Sequence, residues 1–146
     1  MAKALVLYAT RTNETKKIAE LIAEGMRMRA LEVDVYSIGE YESKKVDPQP
    51  YDAVLLGAAT YHGDMIPTMK TFLFTLEKAN LEGKVGGAFG AFGWSGEAPD
   101  RIFDTMRHIY KMDMISAPLR LRSASLGGGI QMAHEYGAEI AGKIAK

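Results

Sequence analysis

At 146 residues, 47% hydrophobic and 25% charged, the chain has the size and apolar content of one globular domain, residues 1–146, able to bury roughly two thirds of its unfolded surface. Its 18 basic and 18 acidic residues cancel, which argues against nucleic acid or an anionic membrane as the main partner. The absence of cysteine excludes disulfides, thiolate zinc sites, cysteine-ligated iron–sulfur clusters and cysteine nucleophiles. It also fits a reducing cytoplasm, the expected location. No apolar run approaches the length of a membrane span and no leader pattern opens the chain, so a soluble protein is expected.

The first element sets the pattern. Ala4, Leu5, Val6, Leu7 and Ala9 form a nearly continuous apolar run, the signature of a strand buried on both faces. A turn rich in hydroxyls follows, Thr10-Arg11-Thr12-Asn13-Glu14-Thr15, and then a helix with Ile18, Leu21, Ile22 and Met26 on one face. Residues Glu32 to Ser37 alternate polar and apolar, as a half-buried strand does, and Glu40 to Pro50 reads as a loop with at most a poorly formed helix. The run Ala53 to Ala59 is a second central strand, followed by the polar loop Thr60 to Met65. Pro67 suits the first turn of the next helix, which turns Met69, Phe72, Leu73 and Leu76 inward.

A fourth strand, Lys84 to Phe92, contains Gly86, Gly87 and Gly90, which predicts close backbone approach. It leads into Gly93-Trp94-Ser95-Gly96-Glu97 and a helix from about Pro99 whose inward residues are Ile102, Phe103, Met106 and Ile109. A fifth strand fits Ile115 to Arg122. The loop Ser123 to Gly129 then precedes a last helix carrying Ala133, Tyr136, Gly137, Ile140, Ala141 and Ile144. Alternating strands and helices imply right-handed crossovers and a parallel sheet covered on both faces, an α/β doubly wound fold. Its commonest five-stranded order, 2-1-3-4-5, opens a crevice where the loops after the first and third strands diverge.

Those loops carry the chemistry. The first amides of a helix lack intrahelical partners and the helix dipole favours an anion there. The hydroxyls of Thr10, Thr12 and Thr15 would add neutral donors, so a phosphate fits. The other reading is a plain helix cap by Thr12 or Asn13. Tyr61, His62, Phe92 and Trp94 offer flat surfaces for stacking, and Gly63, Gly93 and Gly96 allow a ligand close to the backbone. Phe92 is weighed toward core packing and Trp94 toward a ligand. A planar, phosphorylated molecule matches all three loops.

With these residues in view, the chain resembles the flavodoxin family, and within it most closely the flavodoxin-like domain of flavodiiron proteins. The resemblance spans the whole chain. It is carried by Thr10-x-Thr12-x-x-Thr15, by Thr60-Tyr61-x-Gly63-Asp64-Met65-x-Pro67-Thr68, and most specifically by Gly90-Ala91-Phe92-Gly93-Trp94-Ser95-Gly96-Glu97. It implies an electron carrier that binds FMN non-covalently and shuttles low-potential electrons between redox proteins, whose identity is unknown, without being an enzyme. Thr10, Thr12 and Thr15 would hold the phosphate, the loop Tyr61 to Met65 would meet the N5 edge of the flavin, and Trp94 would lie against the ring. The cofactor-binding set is then Thr10, Arg11, Thr12, Asn13, Glu14, Thr15, Thr60, Tyr61, His62, Gly63, Phe92, Gly93, Trp94, Ser95 and Gly96, with no catalytic residue and no metal. Flavodoxins usually have Thr-Gly-Asn-Thr in the first loop, where this chain has Asn13-Glu14. The Glu14 carboxylate then faces the phosphate or points outward along the helix. A monomer or weak dimer is expected.

His62, His108 and His134 are widely spaced, so the clustered histidines of a di-iron centre are missing. A phospho-receiver is rejected because Tyr8-Ala9-Thr10 and Gly57-Ala58-Ala59-Thr60 lack its acidic residues. The segment Gly93 to Glu97 approaches the hydrolase elbow Gly-x-Ser-x-Gly but lacks its last glycine. Neither a P-loop nor a dinucleotide fingerprint is present. The competing function is an FMN-dependent NAD(P)H:quinone reductase built on the same cradle.

Overall fold

The computed structural model describes residues 2–9, 13–61, 64–91, 97–122 and 128–145. The elements run β1 (Lys3–Ala9), α1 (Glu14–Arg27), β2 (Glu32–Ser37), α2 (Ile38–Ser43), β3 (Ala53–Ala58), β4 (Thr60–Tyr61), β5 (Asp64–Met65), α3 (Pro67–Leu76), β6 (Val85–Ala91), α4 (Glu97–His108), β7 (Asp113–Met114), β8 (Leu119–Leu121) and α5 (Gly129–Ile144). The apolar runs form the middle of the sheet, as their lack of a polar face requires. All of β3 and β6 is buried, and so is β1 beyond its first residue. Strand β2, whose sequence alternates, lies at the edge. The order is β2-β1-β3-β6, with β7 and β8 sharing the outer side of β6, and every pairing is parallel. This is the expected 2-1-3-4-5 order.

Two apolar layers cover the sheet. Leu5, Leu7, Val54, Leu56 and Ala88 pack with Met69 and Phe72 of α3 and Ile102 and Met106 of α4. On the other face Val6, Leu55 and Phe89 pack with Ile18 and Ile22 of α1 and Tyr136 and Ile140 of α5. Helices α1 and α5 touch backbone to backbone. A Cβ at Gly25 would lie 2.3 Å from the His134 carbonyl oxygen, and one at Gly137 would lie 2.3 Å from that of Ile22.

The close approach predicted from the fourth strand's glycines is present: a Cβ at Gly90 would stand 2.0 Å from the Ala58 carbonyl oxygen on the neighbouring strand. Three expectations need correction. The fifth strand is split, because Pro118 has no amide to give a ladder, and the pieces Asp113–Met114 and Leu119–Leu121 pair separately with β6. The segment Glu40 to Pro50, read as a loop with at most a poorly formed helix, begins inside a helix, α2 (Ile38–Ser43), opened by a capping box. There the Ser37 hydroxyl accepts from the Glu40 amide at 3.1 Å and Glu40 Oε1 accepts from the Ser37 amide at 2.9 Å. Ile109, read as inward, is 55% exposed because α4 ends at His108. That helix also begins at Glu97, with Pro99 in its first turn, where no amide is needed.

Candidate functional site

Strands β1 and β3 are neighbours, with Ala9 paired to Ala58, but the chain leaves them in opposite directions. From β1 it passes to α1 on one face, and from β3 to α3 on the other. A crevice must open between the two exits, at the carboxyl edge of the sheet.

The entrance to α1 is built for an approaching group. Asn13 is left-handed, at φ 68° and ψ 0°, and its carbonyl accepts from the Lys17 amide at 3.1 Å. Its side chain makes no capping bond to the helix, so the cap reading for Asn13 is not what the structure shows. Thr12, the other cap candidate, lies outside the described residues, as do Thr10 and Arg11. Glu14 Oε1 lies 3.8 Å from Lys17 Nζ, one turn along the helix. Thr15 is fully buried. Its Oγ accepts from the Ala91 amide at 3.5 Å, a bond that does not use the hydroxyl's own hydrogen.

The loop after β3 is a short antiparallel ladder in which Thr60 pairs with Met65 and Tyr61 with Asp64; His62 and Gly63 lie outside the described residues. Thr60 has a task that the sequence reading missed. Its Oγ accepts from the Ala98 amide at 3.2 Å, satisfying one of the partnerless amides at the start of α4. Phe92, Gly93, Trp94, Ser95 and Gly96 lie outside the described residues, yet the residues on either side of them are held from two directions. Ala91 is bonded to Thr15 after the first strand, and Ala98 to Thr60 after the third. The two threonines therefore tie the end of β6 to the start of α1, and the start of α4 to the stretch after β3. At that edge, burial first and the Glu40 and Glu20 carboxylates second push the Tyr8 phenol up, so it stays neutral. Among the described residues no histidine or carboxylate cluster could hold a metal ion.

The amides at the start of α1 behind the left-handed Asn13, and the buried Thr15 hydroxyl beside them, are donors of the kind a phosphate monoester accepts from. An open-sheet α/β protein with its site at the topological switch is the class that fold and site define. Residues 5–125 match the family model of the flavodoxin domain, and the chain belongs to that family. A flavodoxin from the domain Archaea is 32% identical and superposes with a TM-score of 0.87 over 99% of both chains. A nitric oxide reductase of Moorella thermoacetica is 31% identical over 147 residues, covering 99% of this chain and 37% of that protein. The flavodiiron protein from Giardia intestinalis, 20% identical, shares the fold with a TM-score of 0.89 over 98% of this chain and 36% of its own. The chain thus spans a little over a third of the length of the first curated relatives it matches. It is a flavodoxin-like flavin protein, and FMN is the cofactor of such domains.

Proposed function

We propose that residues 1–146 form a single FMN-binding domain that holds its cofactor without a covalent bond and carries low-potential electrons between redox proteins of the cytoplasm. Thr10, Thr12 and Thr15 would hold the phosphate, the loop Tyr61 to Met65 would meet the N5 edge of the flavin, and Trp94 would lie against its ring. When bound, FMN supplies reversible electron transfer. The chain's own part is to orient it and keep water from its faces. One observation carries this reading: the Thr15–Ala91 and Thr60–Ala98 bonds bring the residues that flank the loops after β1, β3 and β6 to the switch point. The match to an archaeal flavodoxin over 99% of both chains supports the carrier over an enzyme.

A second reading is favoured by the other relatives. A nitric oxide reductase and a rubredoxin-oxygen oxidoreductase contain a stretch like this chain within much longer sequences, so this domain would pass electrons to a reductase centre. Purified protein should show a flavin visible spectrum, and a spectroscopic redox titration should resolve two one-electron steps. Absence of flavin together with a melting temperature unmoved by added FMN would overturn the cofactor reading. A single two-electron step with rapid quinone-dependent oxidation of NAD(P)H would replace the carrier with an enzyme.

A further inference from the structure

The outer surface of α3 and α4 carries an apolar patch that the core does not use. Phe74 is 72% exposed, Ile109 is 55% exposed, and both line one groove of about 410 Å³ between the helices. Phe74 lies off the stripe of Met69, Phe72, Leu73 and Leu76 that α3 buries, so nothing in the packing of the described residues calls for a ring there. Such a patch, rimmed by charge, marks an interaction surface.

The order of the charges says what covers it. Along α3, Lys70, Phe74 and Glu77 are spaced by four and then three residues and share one face, with the cation a turn before the ring and the anion a turn after it. Helix α4 repeats the polarity with Arg101 ahead of Asp104, and both pairs line the groove. Each helix follows a parallel strand and packs on the same face of the sheet, so the two run in the same direction and their cations lie at one end. A surface ordered cation, ring, anion becomes complementary to itself after a two-fold rotation about the ring.

We propose that this face joins two copies of the chain about a two-fold axis near Phe74, with Lys70 opposite the partner's Glu77. The inference stands apart from the cofactor reading, since none of these residues belongs to the crevice. Two exposed apolar side chains make a patch well below the roughly 800 Å² per partner of a stable interface, so the dimer is weak and reversible.

Sedimentation equilibrium on the flavin-loaded protein, from micromolar to millimolar concentration, should show a monomer–dimer equilibrium. Phe74→Glu, Lys70→Glu and Glu77→Lys should each raise its dissociation constant by about tenfold or more. Circular dichroism should report an unchanged fold, because all three residues are exposed. The double variant Lys70→Glu/Glu77→Lys should return toward the wild-type value, since each copy then presents the reversed pair to the other. A strictly monomeric wild type would overturn the proposal, as would a dimer indifferent to Phe74→Glu or a double variant no better than either single one. A monomer whose groove binds a different protein in a Phe74-dependent way would reassign the face to that partner.

Discussion

The hydroxyl of Tyr136 stands beside Ala88 in the place of a missing strand residue: it accepts from the Ala88 amide at 3.1 Å and lies 3.0 Å from the Ala88 carbonyl. Between β7, which serves Val85 and Gly86, and β8, which serves Phe89 to Ala91, this part of β6 has β3 on its inner side and, among the described residues, no strand on its outer side. Tyr136 fills the gap from α5. Its single hydrogen is also within reach of the Ala117 carbonyl, at 2.8 Å. A buried peptide without such a partner would be left unsatisfied, which is why a phenol is found in the middle of an otherwise apolar helix face.

Tyr136→Phe should therefore destabilise the fold by about 1–3 kcal/mol, the cost of orphaning buried polar groups, read as a lower denaturant midpoint at constant slope. The substitution should also change the alkaline limb. Burial pushes the Tyr136 phenol up, against the opposing pull of its hydrogen bond to Ala88. A group raised in the folded state stabilises fully below its unfolded pKa of about 10 and progressively less as pH rises above it. Loss of stability above about pH 10 should accordingly be shallower in Tyr136→Phe than in wild type. An equal slope would show that the other tyrosines raised by burial, Tyr8, Tyr41, Tyr51 and Tyr110, carry the whole effect.

Thr60→Val keeps the shape of the side chain and removes the acceptor for the Ala98 amide. The expected loss is about 0.5–1.5 kcal/mol, and part of it should appear as weaker FMN binding, up to about tenfold, because the third loop loses one of its two moorings. Trp94 is the only tryptophan and lies in that loop, so its fluorescence should shift in the variant even without cofactor. Thr60→Ser, which keeps the oxygen, should restore both signals. Unchanged fluorescence and affinity in Thr60→Val would reduce the Thr60–Ala98 bond to a local helix cap.

The central sheet could be read from the sequence because β1, β3 and β6 have no polar face to misplace: apolar runs such as Ala53–Ala58 can lie only between two covering layers. The crevice's location followed from the topology, and Asn13 before α1 adopts the left-handed conformation that asparagine tolerates. What escaped the sequence were contacts between distant residues. The bond from Ala91 to Thr15 spans 76 positions, and a threonine at a helix start gives no sign of whether its hydroxyl serves a ligand or a strand end. The gap left where Pro118 splits the outer strand is likewise filled by Tyr136, which reads locally as one more apolar residue of α5. Helix α2 was the exception. Its Ser37-x-x-Glu40 signal was present in the sequence, obscured by the polar stretch that follows.

The last prediction concerns the carboxylate that departs from the usual first loop. Were Glu14 turned toward a bound phosphate, two anions would share one helix entrance, and neutralising the side chain would tighten binding. Its pairing with Lys17 at 3.8 Å turns it along the helix instead, where an anion also complements the positive end of the dipole. Lys17 is exposed and Glu14 half-buried at 3.8 Å, a long single contact at the helix surface, so the pair's own worth is small, about 0.2–1 kcal/mol. Glu14→Gln should consequently leave FMN affinity within roughly twofold of wild type, as a surface change outside the site does. Thr12→Ala, by contrast, should weaken FMN while sparing riboflavin, which has no phosphate. Both sets of affinities are measurable by fluorescence quenching of the free flavin on mixing with apoprotein. A clear gain for FMN in Glu14→Gln, absent for riboflavin, would put the carboxylate at the phosphate and reverse the assignment.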